Sequence, residues 1–134
     1  MKNIIVYALV ILILVLQLAG CGSKQIQKQI TGTDLFVDFA KTTSIEIWLN
    51  DQESVVSEDS EIQEGLDILK KSDFQERETE TDIDGGWTYS IDFITEEGKQ
   101  HITVRGEHTL DVNGSWYYMN ETDYDTFVKW VEAQ

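Results

Sequence analysis

Few side chains here have the type and spacing for bond-making chemistry. Cys21 is the one thiol, and His101 and His108 are the two imidazoles. The histidines are separated by Gly106 and fit neither the helical nor the strand spacing of a ligand pair. Without a second cysteine they define no structural zinc set, and both read as surface histidines. Glu80, Asp82 and Asp84 place acids at alternate positions ahead of Gly85, as a loop closing on a hard cation would. The later position that must supply a bidentate glutamate is Ile91, so a hydrated acidic loop is the expectation. No nucleophile elbow, metalloprotease helix, phosphate loop or dinucleotide fingerprint occurs, and no catalytic residue, metal or cofactor is assigned. The aromatic set is richer. Trp48, Trp87, Tyr89, Trp116, Tyr117, Tyr118 and Trp130 can fill a core, stack on sugars or anchor a protein partner.

The setting of the thiol carries more information. Lys2 precedes residues 4–16 (IIVYALVILILVL), an unbroken apolar run. As a helix it measures about 20 Å, short of the roughly 30 Å hydrocarbon core of a bilayer. A basic start, a short apolar run and small residues after it make an export leader. Leu18-Ala19-Gly20-Cys21, at its end, resembles the lipobox of bacterial lipoproteins at all four positions. The resemblance implies that the Cys21 thiol is joined to a diacylglycerol and that the leader is cut between Gly20 and Cys21. Cys21 then becomes the mature N-terminus and the membrane anchor. The competing reading is an uncleaved apolar anchor with an incidental cysteine. Two acyl chains give stable anchoring where one is marginal, at about 0.8 kcal/mol per buried methylene. Gly22 is not the aspartate that retains lipoproteins at the inner membrane of Gram-negative cells, and a single cysteine forms no intramolecular disulfide. The expected location is the outer face of a Gram-positive plasma membrane.

Charge narrows the partners. The chain carries 25 Asp+Glu against 10 Lys+Arg, a formal charge of −15, and loss of the leader with Lys2 makes it more acidic still. Such a surface excludes nucleic acid, which needs a basic footprint. It also repels anionic lipid, so the acyl chains rather than the protein surface hold the molecule to the membrane. Cleavage divides the chain into a signal peptide at residues 1–20, a lipidated cysteine and tether at 21–40, and one domain at 41–134.

Periodicity then predicts the elements that position the side chains. Residues 22–29 (GSKQIQKQ) have little to bury, and residues 30–40 fit a short edge strand or a helical turn equally well. Ile45, Ile47 and Leu49 alternate with Glu46 and Trp48 as a half-buried strand, Asn50-Asp51 turns the chain, and Val55-Val56 offers a short return strand. Ile62, Leu66 and Leu69 mark a helix over about residues 58–71, with Ser60 and Gln63 in capping-box spacing and Lys70-Lys71 at its close. Gly65 inside it costs up to about 1 kcal/mol relative to alanine, which implies close packing or a weak point. Residues 73–84 read as an acidic loop. Strands follow at 87–94, 100–105, 109–112 and 115–119, turned at Glu96-Glu97-Gly98-Lys99 and at Asn113-Gly114. A helix capped by Thr122 runs to Glu132, with Tyr124, Phe127, Val128 and Val131 inward.

The predicted fold class is α+β: an antiparallel sheet of about four to six strands with two helices packed on one face. In element order and length it resembles, diffusely, the small surface lipoprotein domains of Gram-positive bacteria, a likeness that implies no chemistry. Strand alternation turns Ile45, Ile47, Leu49, Trp87, Tyr89, Ile91, Phe93, Ile102 and Val104 toward the helices. Glu46, Trp48, Thr88, Ser90, Asp92, His101, Thr103, Arg105 and Tyr117 turn to the other face. Trp48, Asp92, His101, Arg105 and Tyr117 form the candidate binding face, whose alternatives are a cover formed by the N-terminal segment or an ordinary solvated surface. The functional expectation is a tethered binding or interaction module for a protein, a cationic peptide or an envelope glycan. The alternatives are an envelope hydrolase or transferase, for which no nucleophile and base set is recognisable, and a structural lipoprotein subunit.

Overall fold

Burial follows the strand period. Ile45, Ile91, Phe93, Ile102, Val104 and Leu110 are fully buried, while Glu46, Trp48, Asp92, His101 and Thr103 between them are only half-buried. The structure is a computed structural model that describes residues 28–77, 87–106 and 108–134. The side chains of Trp87 and Thr88 lie outside the described set, as do residues 1–20, Cys21, Glu80, Asp82, Asp84 and Gly85.

The elements run β1 (Gln29–Thr31), α1 (Gly32–Leu35), a 3-10 turn (Val37–Phe39), β2 (Thr42–Leu49), β3 (Gln52–Val56), α2 (Asp59–Lys71) and β4 (Asp73–Arg77). They continue as β5 (Trp87–Thr95), β6 (Gly98–Arg105), β7 (Thr109–Val112), β8 (Ser115–Met119) and α3 (Glu121–Glu132). All strand pairs are antiparallel, in the order β1-β4-β8-β7-β6-β5-β2-β3. The fold is therefore α+β with one open antiparallel sheet, but among the described residues it has eight strands rather than four to six and three helices rather than two.

The two strands beyond the expected number are β1 and β4. β4 occupies the first part of the stretch expected to be an acidic loop and lies inside the sheet between β1 and β8. Among its five residues only Phe74 is apolar, and it faces Met119 across the ladder in the core. One apolar residue gives no alternation to count, which is why the strand escapes a periodicity reading. Residues 29–40, grouped above with the tether, are likewise part of the fold. Thr31 Oγ1 caps α1 by accepting from the Asp34 N–H, and Gly32 N–H donates to the Ser72 carbonyl at 2.8 Å. Phe36 and Phe39 are buried, making edge contacts with Phe74 and Phe93 at 5.4 and 4.9 Å. This segment thus packs on the helix side of the sheet, and among the described residues nothing packs on the other side.

The helices begin slightly earlier than their polar signals suggest. Glu58 is the N-cap residue of α2, without a side-chain cap, so the Ser60 and Gln63 pair lies inside the helix. Asn120 caps α3 by accepting from the Thr122 N–H. The closeness implied by Gly65 is to α3: a Cβ there would fall 2.5 Å from Trp130 Cζ2. Asn113 and Gly114 both take positive φ, 50° and 90°, as a two-residue hairpin turn requires.

Candidate functional site

β6 lies between β5 and β7 and presents three polar side chains to the face opposite the helices. Ile102 and Val104 point into the core, so His101, Thr103 and Arg105 point away from it. Antiparallel register puts Asp92 opposite His101 and Glu46 opposite Asp92; the adjacent row runs Trp116, Asp111, Thr103, Ser90, Trp48. Trp48, Asp92, His101 and Arg105 thus share one face, as the alternation predicts.

Tyr117 does not join them. The Asn113-Gly114 turn pairs Val112 with Ser115, and counting outward sets Leu110 against Tyr117 and Asp111 against Trp116. Leu110 is fully buried, so Tyr117 must share the helix side, where its ring meets Phe74 at 6.4 Å. Trp116 and Tyr118 take the open side instead. The turn that reveals the hairpin also fixes its register, so this exchange was readable from the sequence. Arg77, a third unforeseen member, comes from β4.

Two polar clusters result. In the first, His101 Nδ1 lies 2.6 Å from Asp92 Oδ1 and Nε2 lies 3.0 Å from Thr103 Oγ1, while Lys99 Nζ lies 3.3 Å from Asp92 Oδ2. In the neutral ring with its proton on Nδ1, donated to Asp92, Nε2 accepts from the Thr103 hydroxyl; in the imidazolium both nitrogens donate and its charge also acts on Asp92. Partial burial of Asp92 opposes its ionisation. The hydrogen bonds from His101 and Lys99, reinforced by their charges, outweigh burial and hold the carboxyl below its ordinary value. A carboxylate, imidazole and hydroxyl in series can polarise the hydroxyl. Around Thr103, however, the sheet is open and β6 is paired on both sides, so its ladder leaves no evident pair of N–H groups for an oxyanion.

In the second cluster, the Arg105 guanidinium lies over the Trp116 ring at 4.8 Å and that of Arg77 over Tyr118 at 4.9 Å. Arg77 Nη1 donates to Thr109 Oγ1 at 2.8 Å. Nearby, at the ends of β4 and β8, a cleft of about 420 Å³ is lined by Asp73, Gln75, His108, Tyr118, Asn120 and Glu121 among others. His108 itself packs edge-on against Tyr124 at 5.1 Å, apart from the His101 cluster.

Among the described residues no group of three or more His, Cys, Asp or Glu could hold a metal ion, and no helix is long and apolar enough to cross a membrane. The chain matches no protein-family model, no curated protein and no solved structure.

Proposed function

We propose that the protein is a membrane-anchored extracytoplasmic lipoprotein whose uncovered sheet face binds a partner. Leu18-Ala19-Gly20-Cys21 behind its short apolar run supports the anchor: cleavage before Cys21 and diacylglycerol on its thiol tether the domain outside the cell membrane. The single observation that carries the binding role is the asymmetry of the sheet. All three helices and the Phe36–Phe39 segment pack on one side, and Trp48, Asp92, His101, Arg105 and Trp116 stand together on the other. Aromatic and arginine side chains dominate binding hot spots because they bring large rigid area and oriented donors. The partner is a protein, a cationic peptide or an envelope glycan.

Fatty-acid labelling of bacteria producing the chain tests the anchor. The wild-type protein should take up label and lose residues 1–20, whereas Cys21→Ser should stay unlabelled with its leader attached. Label retained by Cys21→Ser would contradict the assignment.

One observation favours a second reading, an envelope hydrolase: the Asp92, His101 and Thr103 series. Ester hydrolysis by the wild-type domain that disappears in Thr103→Ala would establish it, and equal rates in the two proteins would remove it.

A further inference from the structure

Arg77 and Arg105 are the only arginines in a chain of 134 residues with 25 acids, and both lie on the same face of the sheet. They approach from opposite sides. Arg77 extends from β4 and Arg105 from β6, and each guanidinium rests on a ring carried by β8, the strand beside β4. The rings belong to Trp116 and Tyr118, two positions apart on one strand face, so the anchors are about 7 Å apart. Among the described residues the ion pairs are Lys41 with Glu97 and Asp92 with both Lys99 and His101, and neither arginine takes part in one. Arg105 Nε is buried without a hydrogen-bond partner among those residues. The acid nearest in register, Asp111, is turned to its own hairpin, accepting from the Gly114 N–H at 2.7 Å.

We infer that Arg77 and Arg105, held on Tyr118 and Trp116, form a clamp for the phosphoryl group of a small phosphate ester. This rests on the open face being the binding surface and names the chemistry recognised at one end of it. Stacking on an aromatic ring fixes the guanidinium plane and leaves its N–H edge free to meet oxygen. Two cations gathered over one strand repel each other until an anion lies between them. One carboxylate satisfies a single bidentate fork, whereas the three oxygens of a phosphate monoester can serve both guanidiniums. The ligand is compact, because Glu46, Glu53 and Asp92 farther along the face and the overall charge of −15 repel an extended polyanion.

The test is calorimetric titration of residues 22–134, which contain every described element, with glycerol 3-phosphate, inorganic phosphate and vesicles of phosphatidylglycerol in parallel. Saturable binding of glycerol 3-phosphate is expected, weakened at least about tenfold in Arg77→Gln and in Arg105→Gln. Arg105→Lys keeps the charge and loses the fork, and it should also bind more weakly. Asp67→Asn, on the exposed side of α2 and away from this face, should bind as the wild type does. Thermal unfolding of each variant separates loss of binding from loss of fold. Binding of vesicles in place of the soluble ester would overturn the compact-ligand assignment. Absence of any phosphoryl binding, or equal affinity in folded Arg105→Gln, would overturn the clamp. The wider reading would outlast that result if Trp48→Ala still abolished capture of another partner, and would fall with it if no substitution on the face altered any capture.

Discussion

At the scale of single residues, the most informative side chain is Asp92, because its environment sets a pH dependence that can be measured. Its pKa is lowered in the folded protein, whereas unfolded it takes the ordinary value of about 3.9. The ionised carboxylate therefore stabilises the fold above that ordinary value, and the contribution is lost as pH falls through the lowered folded pKa. Asp92→Asn should lower the thermal midpoint at pH 7 by a few degrees, an effect reduced by the solvent exposure of its partners. The gap between the two proteins should close below about pH 4. A gap that persists unchanged in acid would show that the His101 and Lys99 contacts are not what hold the carboxyl down. Tyr89 and Tyr124 are perturbed in the other sense. Burial raises both phenols, with added repulsion from Glu132 at Tyr89 and from Asp125 and then Tyr89 at Tyr124. Tyr124 donates to the Arg105 carbonyl at 2.6 Å, so the end of β6 that carries Arg105 is tied to α3.

Between elements, α2 meets α3 closely at Gly65. Alanine there gains up to about 1 kcal/mol of helix propensity, but its Cβ would press on the Trp130 indole at 2.5 Å. Overpacking of a core contact costs about 1–3 kcal/mol. Gly65→Ala should therefore destabilise the domain by about 1 kcal/mol in chemical denaturation. In a Trp130→Phe background the same change should cost much less, because the atoms it meets belong to the larger ring system. Strictly additive effects would contradict the contact. The elements also show what a sequence can and cannot disclose. β2, β5, β6, the Asn113-Gly114 hairpin, α2 and α3 were legible because an apolar period or a turn dipeptide marks each one. β1 and β4 were not, since Ile30 and Phe74 are the single apolar residues in their strands and pairing partners supply the rest of the order. The same limit explains the site. Asp92, His101 and Arg105 follow from alternation along β5 and β6; Tyr117 lies on the helix side because the Asn113-Gly114 turn sets it against buried Leu110, and Arg77 is hidden with β4.

For the whole molecule, the arrangement is a two-sided sheet used asymmetrically. On the proposed reading residues 1–21 address the domain outside the cell; the helix side supplies the packed core, and the remaining side carries the polar and aromatic groups that have no part in that core. Both sheet edges, β1 and β3, are short, and β3 is rich in polar side chains, which discourages edge-to-edge pairing and leaves the flat face as the larger surface for recognition. The measurement that bears most directly on this account is capture from cell-envelope extract by residues 22–134, immobilised at the N-terminus as the lipid would hold them. Wild type would be compared with Trp48→Ala/Arg105→Gln and with Asp67→Asn, a substitution on the exposed side of α2, all three verified as folded. The account predicts a ligand retained by the wild-type and Asp67→Asn domains and lost from the double variant. Equal retention by all three would contradict it, since the uncovered face would then contribute nothing to binding.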